Sequence, residues 1–242
     1  ISAADPFPDS LRRLGEMAPV ATFNDNAEAA AGADVIILAV KPQVMAEACG
    51  SIAPAVRESG ALVISIAAGV TIASMAARLG QQAAIVRCMP NTPALLGCGA
   101  SGLFANANVS AAQRQQAEHV VGAVGITRWV PDEGALDAVT ALSGSGPAYF
   151  FLFMEAMIEA GCRLGLDRET ATTLALQTGL GAARMALEDS ADLVELRRRV
   201  TSPGGTTERA VQRFEQDGLR QIVEDAMQAA ADRAAEMARE MG

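Results

Sequence analysis

Val35-Ile36-Ile37-Leu38-Ala39-Val40 decides the fold class. The run is continuously apolar and largely β-branched, which predicts a strand buried on both faces, as in a parallel sheet covered by helices. Residues 61–67 and 84–89 read the same way, and residues 125–130 form a weaker strand. Helical stretches lie between them. Residues 27–33 are alanine-rich; Thr71 N-caps 72–79, which Gly80 stops; Ser110 N-caps 111–121, which ends at Gly122. Strand–helix alternation at this spacing predicts an α/β domain with a parallel sheet and helices on both faces.

After Pro131-Asp132-Glu133-Gly134 the strand signal ends. Apolar residues then recur at helical spacing: Leu136, Val139 and Leu142, then Phe150, Met154, Met157 and Ile158, then Leu174, Leu176, Leu180, Met185 and Leu187. The last helix covers 218–241. Gly144-Ser145-Gly146-Pro147 interrupts the first helix, and Ser202-Pro203-Gly204-Gly205 separates two later ones. Two domains are expected, 1–131 and 132–242, the second all helical. Its apolar faces exceed what one small bundle needs, which favours a second copy of the chain.

Composition narrows the chemistry. The 242 residues are 50% hydrophobic and 19% charged, with a net charge of −9, so nucleic acid and anionic membranes are disfavoured as partners. A single histidine, His119, excludes a His-rich metal centre, and no metal site is expected. His119 sits among Gln115, Gln116 and Glu118 and reads as a surface residue. Arg197-Arg198-Arg199 ends a helix and reads as a solvated or ion-paired face. Cys49, Cys88, Cys98 and Cys162 form no CxxC pair and read as buried, reduced thiols. No signal peptide and no apolar run of about 20 residues is present, so no membrane span is expected and a cytoplasmic location is the default.

Ligand chemistry is expected first at Ala39-Val40-Lys41-Pro42, because open α/β sheets bind ligands outside the carboxyl ends of their strands. Lys41 is the one lysine in the sequence. The next two strands end in Ser65-Ile66-Ala67-Ala68-Gly69 and Met89-Pro90-Asn91-Thr92-Pro93. Small residues there admit a flat ligand and Asn91 offers amide hydrogen bonds; ordinary turn chemistry is the alternative. In Val200-Thr201-Ser202-Pro203-Gly204-Gly205-Thr206-Thr207, two glycines precede a helix start and three hydroxyls flank it. That makes an anion cradle for a carboxylate or phosphate, or else a capped helix start.

LAVKPQ (38–43), SIAAGV (65–70), RCMPNTP (87–93), SGSGPAY (143–149) and VTSPGGTT (200–207) together resemble the pyrroline-5-carboxylate reductase family, block by block and in the family's order. The resemblance implies a Rossmann-like nucleotide-binding domain followed by an all-helical dimerisation domain. It implies reduction of the cyclic imine 1-pyrroline-5-carboxylate to L-proline by hydride from NADPH or NADH, the last step of proline biosynthesis. A homodimer or higher homo-oligomer is implied, with active sites where one chain's helices meet the other's nucleotide-binding domain. Residue by residue, it places Asn26 near the adenosine phosphates, Ala39, Val40, Lys41 and Pro42 in the loop over the cofactor, Ala67 on the nicotinamide side, and Glu133 facing the substrate. Asn91 joins the cofactor side from its strand end. Thr206 and Thr207 match the substrate-binding pair, within a cradle that includes Ser202 and Gly205; Thr207 would support the ring nitrogen as the catalytic residue.

Family members open with a strand, a GxGxMA loop and a helix. Ile1 to Pro6 resembles the second strand and its turn, so that first loop is expected ahead of Ile1. Asp5 falls where an NADP-preferring member carries a hydroxyl or cation near the 2′-phosphate, which leaves both cofactors open. Two other readings remain at this point. A two-domain dehydrogenase of the β-hydroxyacid type uses a lysine in a helix of its second domain, and no lysine follows Lys41. A non-catalytic helical dimer with a degenerate nucleotide fold would show no cofactor protection against unfolding.

Overall fold

Leu62, Val63 and Ile64 are fully buried in β4 (Leu62–Ser65), the strand around which the first unit is built. β3 (Val35–Leu38) and β5 (Ala84–Met89) flank it, both parallel. β6 (Gly99–Ala105) and β7 (Gly125–Trp129) complete the order β3-β4-β5-β6-β7. The computed structural model describes residues 1–241. It divides into one unit of Ile1–Ser145 with the chain from Ala229 onward, and a second of Gly146–Gln228.

The expected parallel sheet carries one departure: β6 runs antiparallel to β5. Only residues 90–98 join the two strands, fewer than the dozen or so that a parallel crossover needs. β6 also lacks β-branched residues, and its glycines are there for close approach. A Cβ on Gly99 would lie 2.8 Å from the Val124 carbonyl, and one on Gly102 would lie 2.7 Å from a Val139 methyl.

Period-two alternation sorts the sheet into two core faces. Val63 and Ile85 pack with Met45, Cys49, Ile52 and Val56 of α3 (Met45–Ser59) and with Met75 and Leu79 of α4 (Ile72–Leu79). Leu62, Ile64, Val86 and Leu103 pack with Ala117 and Val121 of α5 (Ala111–Gly122). The caps are those expected: Thr71 accepts from the Ser74 N–H at 3.2 Å, and Ser110 forms a reciprocal box with Gln113. Trp129 donates its indole N–H to Glu118 and lies under the Arg114 guanidinium, 4.3 Å from the ring centroid, which fastens α5 to β7.

The run expected to be buried on both faces is an edge strand here. Leu38 is buried and Ile36 packs on the core, but Ile37 on the opposite face is 50% exposed. β3 pairs with β4 alone among the described residues. β1 (Ser2–Ala4) and β2 (Ala21–Phe23) form a separate parallel pair connected through α1 (Pro8–Met17). α2 (Asn26–Ala30) follows β2, capped by Asp25.

Beyond β7 come α6 (Ala135–Val139) and a π-helical turn, Thr140–Gly144. The second unit holds α7 (Gly146–Arg163), α8 (Arg168–Glu188), α9 (Leu193–Arg199), α10 (Thr206–Gln216) and the start of α11 (Leu219–Met241). It is all helical and has little core of its own. Phe150, Phe151, Leu152, Leu174 and Leu180 are all exposed, an apolar surface far larger than isolated chains carry. No helix of the described residues is long and apolar enough to cross a membrane.

The cysteine expectation holds for two residues and fails for two. Cys49 and Cys88 are buried, and burial pushes both thiols up to about 11. Cys98 is exposed and Cys162 half-buried. Cys98 follows a 3-10 turn, Thr92–Leu96, whose Leu95 and Leu96 also stand in solvent. His119 is exposed, as expected. Truncation of the sheet centre, Ile64→Ala, should lower the unfolding free energy by about 2–5 kcal/mol. Urea denaturation followed by Trp129 fluorescence measures it.

Candidate active site

Because β3, β4 and β5 are parallel, their carboxyl ends share one edge, with Leu38 opposite Ser65 and Ser65 opposite Arg87. The structure therefore brings Ala39, Val40, Lys41, Pro42, Ala67 and Asn91 to one sheet edge. Ala39 and Lys41 are exposed, while Val40 and Ala67 are half-buried against the core. Lys41 forms no ion pair among the described residues, which leaves its ammonium for an anionic ligand. Pro42 opens a short 3-10 turn. Ala67 donates its N–H to Ser65 Oγ at 3.3 Å. Gly69, at φ +75°, lies against the last turns of α11: a Cβ there would sit 3.2 Å from Met237 Cβ. Alanines and glycine at three strand ends leave room for a flat dinucleotide, so the residues present fit its nicotinamide and phosphate portions.

Two sequence candidates, Asn26 and Asn91, also make hydrogen bonds within this unit. Asn26 Nδ2 donates to Ser51 Oγ at 3.1 Å and ties α2 to α3. Asn91 Oδ1 accepts from the Ala100 N–H at 2.9 Å, and its Nδ2 donates to the Ser143 carbonyl at 3.1 Å. Asn91 thus joins the end of β5 to the start of β6 and to the π-helical turn.

Glu133 is engaged more tightly still. Its Oε1 accepts from the Ile72 N–H at 2.7 Å and from Arg87 Nη1 at 2.8 Å. It serves as a helix N-terminal carboxylate, but for α4 and not for the helix that follows it in sequence. Arg87, 8% exposed, is the residue the sequence reading missed. Its one signal was a lone charge inside an apolar strand. Nearby, burial pushes the Asp137 carboxyl up from its usual value, Arg87 and Arg239 pull it down, and Glu133 pushes it up. Among the described residues, no group of three or more His, Cys, Asp or Glu side chains could hold a metal ion.

In the second unit the segment Val200–Gly205 links α9 to α10. Gly204 takes the left-handed conformation, φ +71°, and donates its N–H to Glu208 Oε2 at 2.8 Å. Gly205, by contrast, has an ordinary φ of −80°. Its constraint is steric, since a Cβ would lie 2.9 Å from the Ser202 carbonyl. Its own N–H is used within the turn, donating to that carbonyl at 3.0 Å. The N–H groups of Thr206, Thr207 and Glu208 have no partner among the described residues, and both threonines are exposed. Ser202 and Gly205 thus shape the turn, while Thr206 and Thr207 offer donors. Arg197, Arg198 and Arg199 are ion-paired, to Glu215, Glu195 and Asp189, as expected of a helix-end face.

A parallel-sheet edge suited to a dinucleotide, followed by a helical unit with an open helix start, defines a two-domain oxidoreductase of the dinucleotide-binding class. Comparison narrows this. Residues 133–237 match the family described as pyrroline-5-carboxylate reductase dimerisation, and residues 1–69 match NADP oxidoreductase coenzyme F420-dependent. The pyrroline-5-carboxylate reductase of Pseudomonas aeruginosa is 54% identical over 242 residues, 100% of this chain and 88% of that one. The structure of a pyrroline-5-carboxylate reductase from Coxiella burnetii superposes with a TM-score of 0.95 at 46% identity, covering 98% of this chain and 88% of that chain. That of the Plasmodium falciparum pyrroline carboxylate reductase, with NADP bound, gives 0.84 at 31% identity, over 98% and 87%. The chain belongs to the pyrroline-5-carboxylate reductase family.

The buried pair has a measurable consequence. Arg87→Met strands Glu133 and should cost about 3 kcal/mol, the low end for a broken buried pair because Glu133 keeps some solvent. Asp137→Asn should act in the opposite direction. A carboxyl raised above 3.8 in the fold contributes stability that is present below that pH and is lost as pH rises through the folded value. The variant escapes that loss, so its advantage should appear at pH 7 and vanish in acid. Urea unfolding across pH measures both.

Proposed function

We propose that this chain reduces 1-pyrroline-5-carboxylate to L-proline with hydride from a nicotinamide dinucleotide, the last step of proline biosynthesis. The observation that carries the reading is the open first turn of α10, whose Thr206 and Thr207 N–H groups await an anion. Substrate and product both carry a carboxylate. Two convergent N–H groups at the positive end of a helix hold it without a cationic side chain.

Thr207 Oγ then lies beside the same anion, one carbon from the ring nitrogen, where it supports the nitrogen as that atom takes its final charge. An imine already protonated in water requires positioning more than acid catalysis. When bound, the cofactor supplies the hydride. Lys41 neutralises its phosphates, Ala39, Val40, Pro42 and Ala67 border its path, Asn26 and Asn91 hold the surrounding elements, and Glu133 fixes the start of α4 and faces the substrate.

We assign the cofactor to residues 1–131 and the substrate and subunit contacts to residues 132–242. The exposed apolar surface of α7 and α8 supports a homodimer or larger homo-oligomer. Four cysteines without a disulfide support a reducing, cytoplasmic setting.

Steady-state kinetics with the imine tests the assignment. Thr207→Val should lower turnover about ten- to a hundredfold, equivalent to about 1–3 kcal/mol of transition-state stabilisation. Thr206→Val should cost less, because its N–H survives. Gly205→Val should impair substrate binding most, because its side chain meets the Ser202 carbonyl. Lys41→Ala should raise KM for the cofactor far more than KM for the imine. Unaltered turnover and affinity in Thr207→Val would reduce the segment to a plain helix start.

A further inference from the structure

We infer that the last turns of α11 are a positioning element for hydride transfer, acting where Met237 meets Gly69. The inference rests on the reductase reading above, in which Ala67 borders the nicotinamide. Hydrogen bonds hold the turn that carries Ala67 at its two ends. Ile66 donates its N–H to the Leu38 carbonyl at 3.1 Å, and Ile72 donates to Glu133 Oε1 at 2.7 Å. Packing holds the middle. Val70 is 1% exposed, and Gly69 lies against α11. A Cβ on Gly69 would sit 3.2 Å from Met237 Cβ, 3.4 Å from its carbonyl carbon and 3.5 Å from its carbonyl oxygen. The turn therefore rests on the backbone of the helix, an approach that a residue without a side chain permits.

The helix docks by a face and not by one side chain. From Ala229 onward it belongs to the first unit. Ala234 is buried, and Met237, Ala238 and Met241 are half-buried at helical spacing. Arg233, Glu236 and Glu240 on the other side are exposed and paired with one another. A second contact leads back to the same turn. Burial raises the Asp137 carboxyl of α6, and Arg87 and Arg239 draw it down. This end of α11 thus stands beside the charges that fix Ile72. Ala67 lies two residues before Gly69, so a shift of the helix moves the border of the nicotinamide. Hydride transfer is sensitive to such a shift, since a misplacement of about 1 Å costs on the order of a hundredfold in rate. Lys41 is assigned to the phosphates, so affinity for the dinucleotide depends little on this contact.

Steady-state kinetics with the imine, and amide hydrogen exchange on the protein without cofactor, test this together. Ala234→Asp puts a charge in the docked face and should unseat the end of α11. Exchange across residues 66–72 should then speed up, with residues 84–89 of β5 unchanged. Turnover should fall about tenfold while KM for the imine and for the dinucleotide stays within about twofold. Gly69→Ala pushes on Met237 Cβ and should give the same split. Combining it with Met237→Gly removes that Cβ and should restore part of the turnover and of the protection, which backbone strain at Gly69 alone would not allow. Unchanged turnover in Ala234→Asp despite faster exchange across 66–72 overturns the inference. So does the absence of rescue in the double variant, or faster exchange that extends through β5, which would make the contact one of stability only. An unaltered protein that reduces the imine with neither NADH nor NADPH overturns the reductase reading and this inference with it. An active protein whose turnover ignores these substitutions overturns the inference alone.

Discussion

A single carboxylate oxygen, Oε1 of Glu133, joins β5, the start of α4 and the segment after β7 in the first unit of this protein. Arg87 lies within the buried strand β5, where an unpaired guanidinium would be costly. Its neutralisation brings the segment after β7 back across the sheet. The same oxygen takes the Ile72 N–H and so sets the start of α4, the helix that follows the Ala67–Gly69 turn. Once Glu133 is fixed, α6 and the π-helical turn follow within a few residues. Asn91 then secures the Ser143 carbonyl from the end of the same strand. The end of β5, the start of α4 and the exit from the sheet thus meet at one ion pair.

The helix starts differ in how their backbone donors are satisfied. Asp25, Thr71, Ser110, Asp167 and Asp192 each cover an N–H of α2, α4, α5, α8 or α9 with their own side chains. Before α10 stands Gly205, which has no side chain to offer. The uncapped turn gives up roughly the 1 kcal/mol of a good cap and leaves the N–H groups of Thr206 and Thr207 unpaired among the described residues. Glu208 closes the preceding loop from behind through the Gly204 N–H, so that loop holds its shape without drawing on the donors of Thr206 and Thr207.

Much of this was legible in the sequence, for local reasons. β5 and α4 lie where hydrophobic pattern and capping placed them, to the residue, because β-branched runs and an N-cap followed by a glycine stop act over short range. What escaped depends on distant neighbours. β6 is poor in strand formers, and its glycines make sense only beside Val124 and Val139. α3 contains Gly50 and Pro54, which break a helical pattern that tertiary packing then restores. The partners of Glu133, Asn26 and Asn91 lie 9 to 61 residues away in sequence. The motifs marked candidate residues, whereas the hydrogen bonds those residues make could be read only from the fold.

Lys41 has a consequence for anyone who handles the protein. Its ε-amino group is the one lysine amine in these 242 residues, and it stands exposed at the carboxyl edge of the sheet. Acylation of lysine amines, by dyes, cross-linkers or activated resins alike, therefore falls on that one edge. Coupling through lysine would tether the protein by the edge proposed to receive its cofactor. A matrix prepared through thiol chemistry at the exposed Cys98 would leave that amine untouched.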